Sequence, residues 1–228
     1  MKNKLTYLTI AAVLGLVSCG DNDDNQTAQV TPQAVNLMTT RSVSVADVTG
    51  ISELGSGIYS VITGSDEHIK TGTYYQSDIN EKLLIINGDE QKAEVGFYAL
   101  PEQGWNIVGG LAEETTVNIQ QFEKIDDEIL TVASFKGNYQ STFNDFDIEI
   151  QIDQQGKIIS GRSTCKFSGQ IYETTLSNMV KYEINSQNCE GLASVLQGYL
   201  VKDINYEPAS FRMINLNSEI LDLWFYEN

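Results

Sequence analysis

Three cysteines and one histidine carry most of the nucleophilic and near-neutral acid–base chemistry available to this 228-residue sequence. His68 sits between Glu67 and Ile69 in a polar, turn-like stretch. A zinc centre needs further ligands at metal-binding spacing, and neither CxxC nor HExxH occurs. A hydrolase of the nucleophile-elbow type needs Gly-x-Ser-x-Gly, which is also absent. His68 therefore reads as an exposed loop histidine. Glu113-Glu114 and Asp126-Asp127-Glu128 set carboxylates side by side. Adjacent strand residues point to opposite faces, so these are not the facing pair of a glycosidase. Gly109-Gly110 lacks the helix and lysine of a phosphate loop. These patterns offer no catalytic residue, metal site or cofactor.

Cys19 stands on a border. Lys2 and Lys4 open the chain, Leu5 to Val17 is apolar over 13 residues apart from Thr6 and Thr9, and an acidic stretch follows the cysteine. A spanning helix needs about 20 apolar residues, so this run has the length of a signal-peptide core rather than of a membrane helix. Leu16-Val17-Ser18-Cys19 resembles the lipobox of bacterial lipoproteins. The resemblance covers about the first twenty residues. It implies removal of residues 1–18, diacylglycerol on the Cys19 sulfur, and a membrane anchor of several acyl chains. In such lipoproteins an Asp directly after the cysteine often signals inner-membrane retention. Here that position holds Gly20, with Asp21 one later, so the resemblance points to the outer membrane, at its periplasmic face or on the cell surface.

Residues 19–50 read as an acidic and polar tether, without an aromatic residue and with too little apolar content to fold alone. Asp21-Asn22-Asp23-Asp24-Asn25 imitates the start of a calcium loop, but the required Gly and Glu positions hold Gln26 and Pro32. The whole chain carries 14 Lys and Arg against 31 Asp and Glu, a formal charge of −17. Removing Lys2 and Lys4 with the signal peptide leaves 12 basic residues and −19. Such a surface repels nucleic-acid phosphates and anionic head groups.

Beyond Gly50 the pattern is β. Asp147 to Asp153 alternates strictly, with Ile148, Ile150 and Ile152 on one face. With this strand, the segments 137–144, 157–161, 165–173, 179–188, 195–203, 209–216 and 220–227 give eight short strands in a C-terminal lobe, 135–228. An N-terminal lobe, 51–134, is read as strands at 57–63, 72–77, 82–87, 93–100, 105–110, 115–123 and 128–134. The expected fold is all-β: antiparallel meanders forming two small barrel-like or sandwich lobes. The polar face of the C-terminal strands, with Asp147, Glu149, Gln151, Lys181 and Glu183, faces water rather than lipid. Gly57-Ile58-Tyr59 and Gly137-Asn138-Tyr139 lie 80 residues apart and each opens a run of strands. Lipocalin-like barrels carry Gly-x-Trp on their first strand, so "calycin-like" serves here as an analogy of shape.

Cys165 and Cys189 are expected to form a disulfide, which persists outside the cytoplasm. A hairpin centred on Leu176-Ser177-Asn178 sets them opposite each other, but the same register places Ile171 beside Glu183. A β-bulge between turn and cysteines would reconcile the two. In the last strand Leu223 and Phe225 share one face while Trp224 and Tyr226 share the other, so the second aromatic face is expected to meet the neighbouring lobe. These features suggest a lipid-anchored, non-enzymatic binding or interaction module whose partner is an envelope protein or small ligand. The alternatives are a carrier of a small apolar ligand in a barrel and an inhibitor of an exported hydrolase.

Overall fold

The computed structural model describes residues 45–65, 68–88, 91–109, 116–217 and 220–228. Cys19, the signal segment, Glu67, Gly110 and Glu113-Glu114 lie outside these residues. The first lobe contains β1 (Val45–Thr49), β2 (Gly57–Ser65), β3 (His68–Gln76), β4 (Lys82–Asn87), β5 (Ala93–Ala99), β6 (Trp105–Gly109) and β7 (Thr116–Ile125). The second contains β8 (Gly137–Phe143), β9 (Phe146–Ile152), β10 (Lys157–Ser160), β11 (Lys166–Tyr172), β12 (Met179–Gln187), β13 (Val195–Val201), β14 (Phe211–Asn215) and β15 (Leu221–Glu227). No helix among the described residues is long and apolar enough to cross a membrane.

Both lobes are barrels. In the second, β8 to β15 follow one another in order and β15 closes on β8. All eight expected strands are present, within two residues of the expected boundaries. In the first, β2 to β6 meander and β7 returns to pair with β2. The seam between β6 and β7 is filled by β1, which pairs antiparallel with β6 over two residues and parallel with β7 over three. This corrects the assignment of 19–50 as tether throughout. Five residues are too few to reveal a period, and β1 has a sheet to join only once both of its neighbours are in place.

Each barrel is filled by the inward half of its alternating residues. Val61, Tyr74, Leu84, Ile86, Val95 and Phe97 pack the first, and Ile148, Ile150, Phe167, Ile184, Met213 and Phe225 are among those packing the second. The two Gly-x-Tyr triplets occupy matching places. The Tyr59 hydroxyl donates to the Gly55 carbonyl and the Tyr139 hydroxyl to that of Phe135, each four residues back. Gly137 is needed because a Cβ there would lie 2.8 Å from the Tyr139 ring.

The expected strand at 128–134 does not form. Instead, this connector is held by Asn178, whose amide oxygen accepts from the Glu128 N–H at 2.5 Å and whose N–H donates to the Glu128 carbonyl at 2.8 Å. Leu130 then drops into the second barrel's core and Val132–Phe135 forms a 3-10 turn. A loop gripped from outside its own sequence leaves no local signature.

Cys165 and Cys189 form the disulfide, with their Cα atoms 4.6 Å apart. The strand register beneath it differs by one residue from the one expected, which set Ile171 beside Glu183. Ile171 pairs with Tyr182 and Lys166 with Gln187, and the ladder runs without a bulge. The adjustment comes just past its end, where Asn188 takes φ +57° and brings Cys189 round to Cys165. Asparagine tolerates this left-handed conformation better than most residues.

Candidate functional site

The outer faces of the two barrels share a third core. Ile58, Tyr75, Leu83, Ile85 and Tyr98 of the first meet Met179, Tyr199, Val201, Tyr206, Ile214 and Leu216 of the second. Strands at this junction are therefore apolar on both faces: Leu84 and Ile86 point into the first barrel, while Leu83 and Ile85 point towards the second. Trp224 packs into the same cluster, as expected of the second aromatic face of β15. The rule that outward residues face water fails here. Lys181 points outward from its barrel yet pairs with Glu81 of the other at 2.7 Å.

Two polar networks are buried within this apolar contact. Glu81 accepts from Lys181, from the Thr175 hydroxyl at 2.7 Å and from the Tyr199 hydroxyl at 3.0 Å. Burial pushes the Glu81 carboxyl up, but Lys181 and these hydrogen bonds outweigh it and hold the carboxyl below its usual value. Burial, and then the Glu81 charge, keep the Tyr199 hydroxyl protonated well above its ordinary range. In the second network Arg212 pairs with Asp222, donates to the Asn87 side chain at 3.2 Å, and lies 5.0 Å from the Tyr206 ring and 5.1 Å from that of Trp224. Burial opposes its charge, yet the bonds to Asp222 prevail and its pKa is raised. Each network spans both barrels, so polar groups as well as apolar packing specify the junction.

Concavities lie around this body among the described residues. One, about 1240 Å³, is an open groove beside the inter-lobe connector. Its walls hold Asp126, Asp127, Glu128, Asp203, Glu207 and Glu227 against Lys124 and Lys202. The Asp126-Asp127-Glu128 run thus meets acids from the second barrel, although no metal-binding set of three forms among the described residues. A second concavity, about 620 Å³, lies between β8 and β15 and is lined by Phe143, Trp224 and Tyr226 with Ser141, Thr142 and Lys92. A third, about 220 Å³, is the mouth of the first barrel, where His68 joins Lys70, Thr63 and Thr116 above Ile86, Val95 and Phe97. His68 is exposed, as expected, but it opens β3 rather than lying in a loop, because β3 begins four residues before the expected strand at 72–77.

Sequence reasoning found the disulfide and the last aromatic strand but missed both buried networks. Glu81 and Arg212 each look like ordinary surface charges in the sequence. The available signal was the apolar run beside each, Leu83 to Ile86 just after Glu81 and Phe211 to Leu216 around Arg212. Compared with known families, curated proteins and solved structures, the chain shows no match, so its site is read from its own residues.

Proposed function

We propose that this chain is an envelope lipoprotein, lipidated on Cys19 and held at the outer membrane, that works as a non-enzymatic binding or protein-interaction module. One observation carries the reading. Both barrel interiors are packed with side chains, while the large acidic groove opens outside them beside the inter-lobe connector. A carrier of small apolar ligands requires room inside a barrel, of roughly 300 Å³ or more. The mouth of the first barrel provides about 220 Å³. An open, rigid, strongly acidic surface on a lipid tether suits contact with another macromolecule instead.

The test is formaldehyde cross-linking in intact cells, paired with the intact mass of the membrane-extracted protein. The expected protein starts at an acylated Cys19, sediments with membranes and cross-links to another envelope polypeptide. Cys19→Ser should release it from the membrane and remove that adduct. An unmodified N-terminus, or cross-linking to no partner, would overturn the reading.

A further inference from the structure

We propose that the gap between β8 and β15 is a strand-acceptor site, which takes up a short extended segment of a partner polypeptide into the wall of the second barrel. The proposal rests on the interaction-module reading and gives that module a recognition chemistry. β15 and β8 pair over two residues only, Tyr226 with Gln140 and Glu227 with Tyr139. Beyond them the strands continue, β8 to Phe143 and β15 back to Leu221, with the gap of about 620 Å³ between them.

Residues of both faces of the strands line this gap. Ser141 and Leu223 have the inward parity of the barrel core, whereas Thr142, Trp224 and Tyr226 have the outward parity.

Backbone hydrogen bonds establish which groups face it. Bonded residues alternate along an antiparallel pair. Asn228 donates to the Asn138 carbonyl, so Asn138, Gln140 and Thr142 turn their backbone groups towards β15. The Ser210 N–H donates to the Phe225 carbonyl, so Phe225 bonds to β14, and Trp224 and Tyr226 turn towards β8. Past Gln140 and Tyr226, Thr142 and Trp224 therefore present donors and acceptors to the gap. The Trp224 indole N–H is also buried with no acceptor among the described residues.

An extended peptide complements such an edge through its main chain. The molecule already contains the arrangement: β1 lies between two antiparallel strands, antiparallel to β6 and parallel to β7, and is held by five residue pairs. In the second barrel Ser141–Phe143 and Leu221–Phe225 offer edges of similar length.

The chemistry of the occupant follows from the walls. In a chain of charge −17 the gap is nearly neutral: it holds Lys92 and one carboxylate, Asp222, which is committed to Arg212. It is also continuous with the inter-lobe interface, because Trp224 belongs to both. An uncharged segment fits, with apolar side chains at the alternate positions that point inward beside Phe143 and Leu223.

The experiment replaces Phe143 with photoreactive benzoylphenylalanine in the full-length anchored protein, irradiates cells and maps the adducts by mass spectrometry. A parallel probe replaces Ile129, which is exposed beside the acidic groove. Adducts from position 143 should fall on one short alternating-apolar segment of another polypeptide. Thr142→Pro removes the backbone donor facing the gap while sparing the bonds to β9, and should cut that adduct by about tenfold. Should this variant fold poorly, amide exchange in the wild-type protein serves instead: Thr142 and Trp224 should slow when the partner is bound. Adducts confined to residues 20–44 or to a second copy overturn the proposal, as does a yield indifferent to Thr142→Pro in a folded variant. Capture at 129 alone overturns it but leaves the interaction-module reading standing. Capture at neither position overturns both.

Discussion

Arg212 and Asp222 lie on neighbouring strands of one barrel with their side chains 2% and 3% exposed, and their pair is completed by the other barrel. Asn87 accepts from the guanidinium, and the Ala93 N–H donates to the Asp222 carboxylate at 2.8 Å. Two charges withdrawn from water at a junction tie the two lobes into one unit. Removing one leaves the other buried without compensation. Arg212→Met is expected to cost about 3–5 kcal/mol, read as a lowered urea midpoint. The double variant Arg212→Met/Asp222→Leu should recover much of that loss. A single variant as stable as the parent would show that solvent reaches Asp222.

The shared third core implies that the barrels unfold together. The two tryptophans report on different places: Trp105 packs against the first barrel's core and Trp224 against the junction. In single-tryptophan variants, Trp105→Phe and Trp224→Phe, the fluorescence transition should match the circular-dichroism transition of the same protein. Two separated transitions in either variant would mean that the junction is not energetically continuous with the barrels.

Glu81 makes the junction sensitive to acid. Its carboxyl is lowered below the ordinary 4.5, so its contribution is fully present above that value and is lost as pH falls through the lowered one. Glu81→Gln should cost about 1–3 kcal/mol at neutral pH. The gap between variant and parent should narrow below pH 4.5, measured by denaturation midpoints across that range. A constant difference at all pH values would place the stabilisation elsewhere.

The disulfide closes a loop of sequence separation 24 around the β11–β12 hairpin. Cys165→Ala with Cys189→Ala is expected to cost about 3 kcal/mol, chiefly through the greater freedom of the unfolded chain. The ladder from Lys166 to Tyr172 should remain intact, because its register does not depend on the bond. Amide exchange along β11 would check this: protection lost throughout the hairpin would mean that the disulfide holds the register.

The second barrel was legible because its strands alternate and its turns are short. Ile148, Ile150 and Ile152 declare their face within seven residues. The cysteine pairing was legible as well, since it needs only a hairpin between the two thiols. What lay hidden depended on contacts between distant segments. β1 becomes a strand because β6 and β7 leave a seam for it, and the 128–134 segment fails as one because Asn178 holds Glu128. At the junction, Lys181 and Glu183 alternate like solvated residues although Lys181 meets Glu81 across the interface. Periodicity reports which face a residue takes, not whether water or another lobe lies beyond it.

Contact around the junction, with both barrel interiors closed, is the central claim. The most direct test is photo-cross-linking in cells from two exposed positions, Asn205 on the acidic groove and Ser65 at the mouth of the first barrel. The expected result is an adduct with one envelope polypeptide from Asn205 and none from Ser65. Capture from Ser65 alone would contradict it and move the binding site to the barrel mouth.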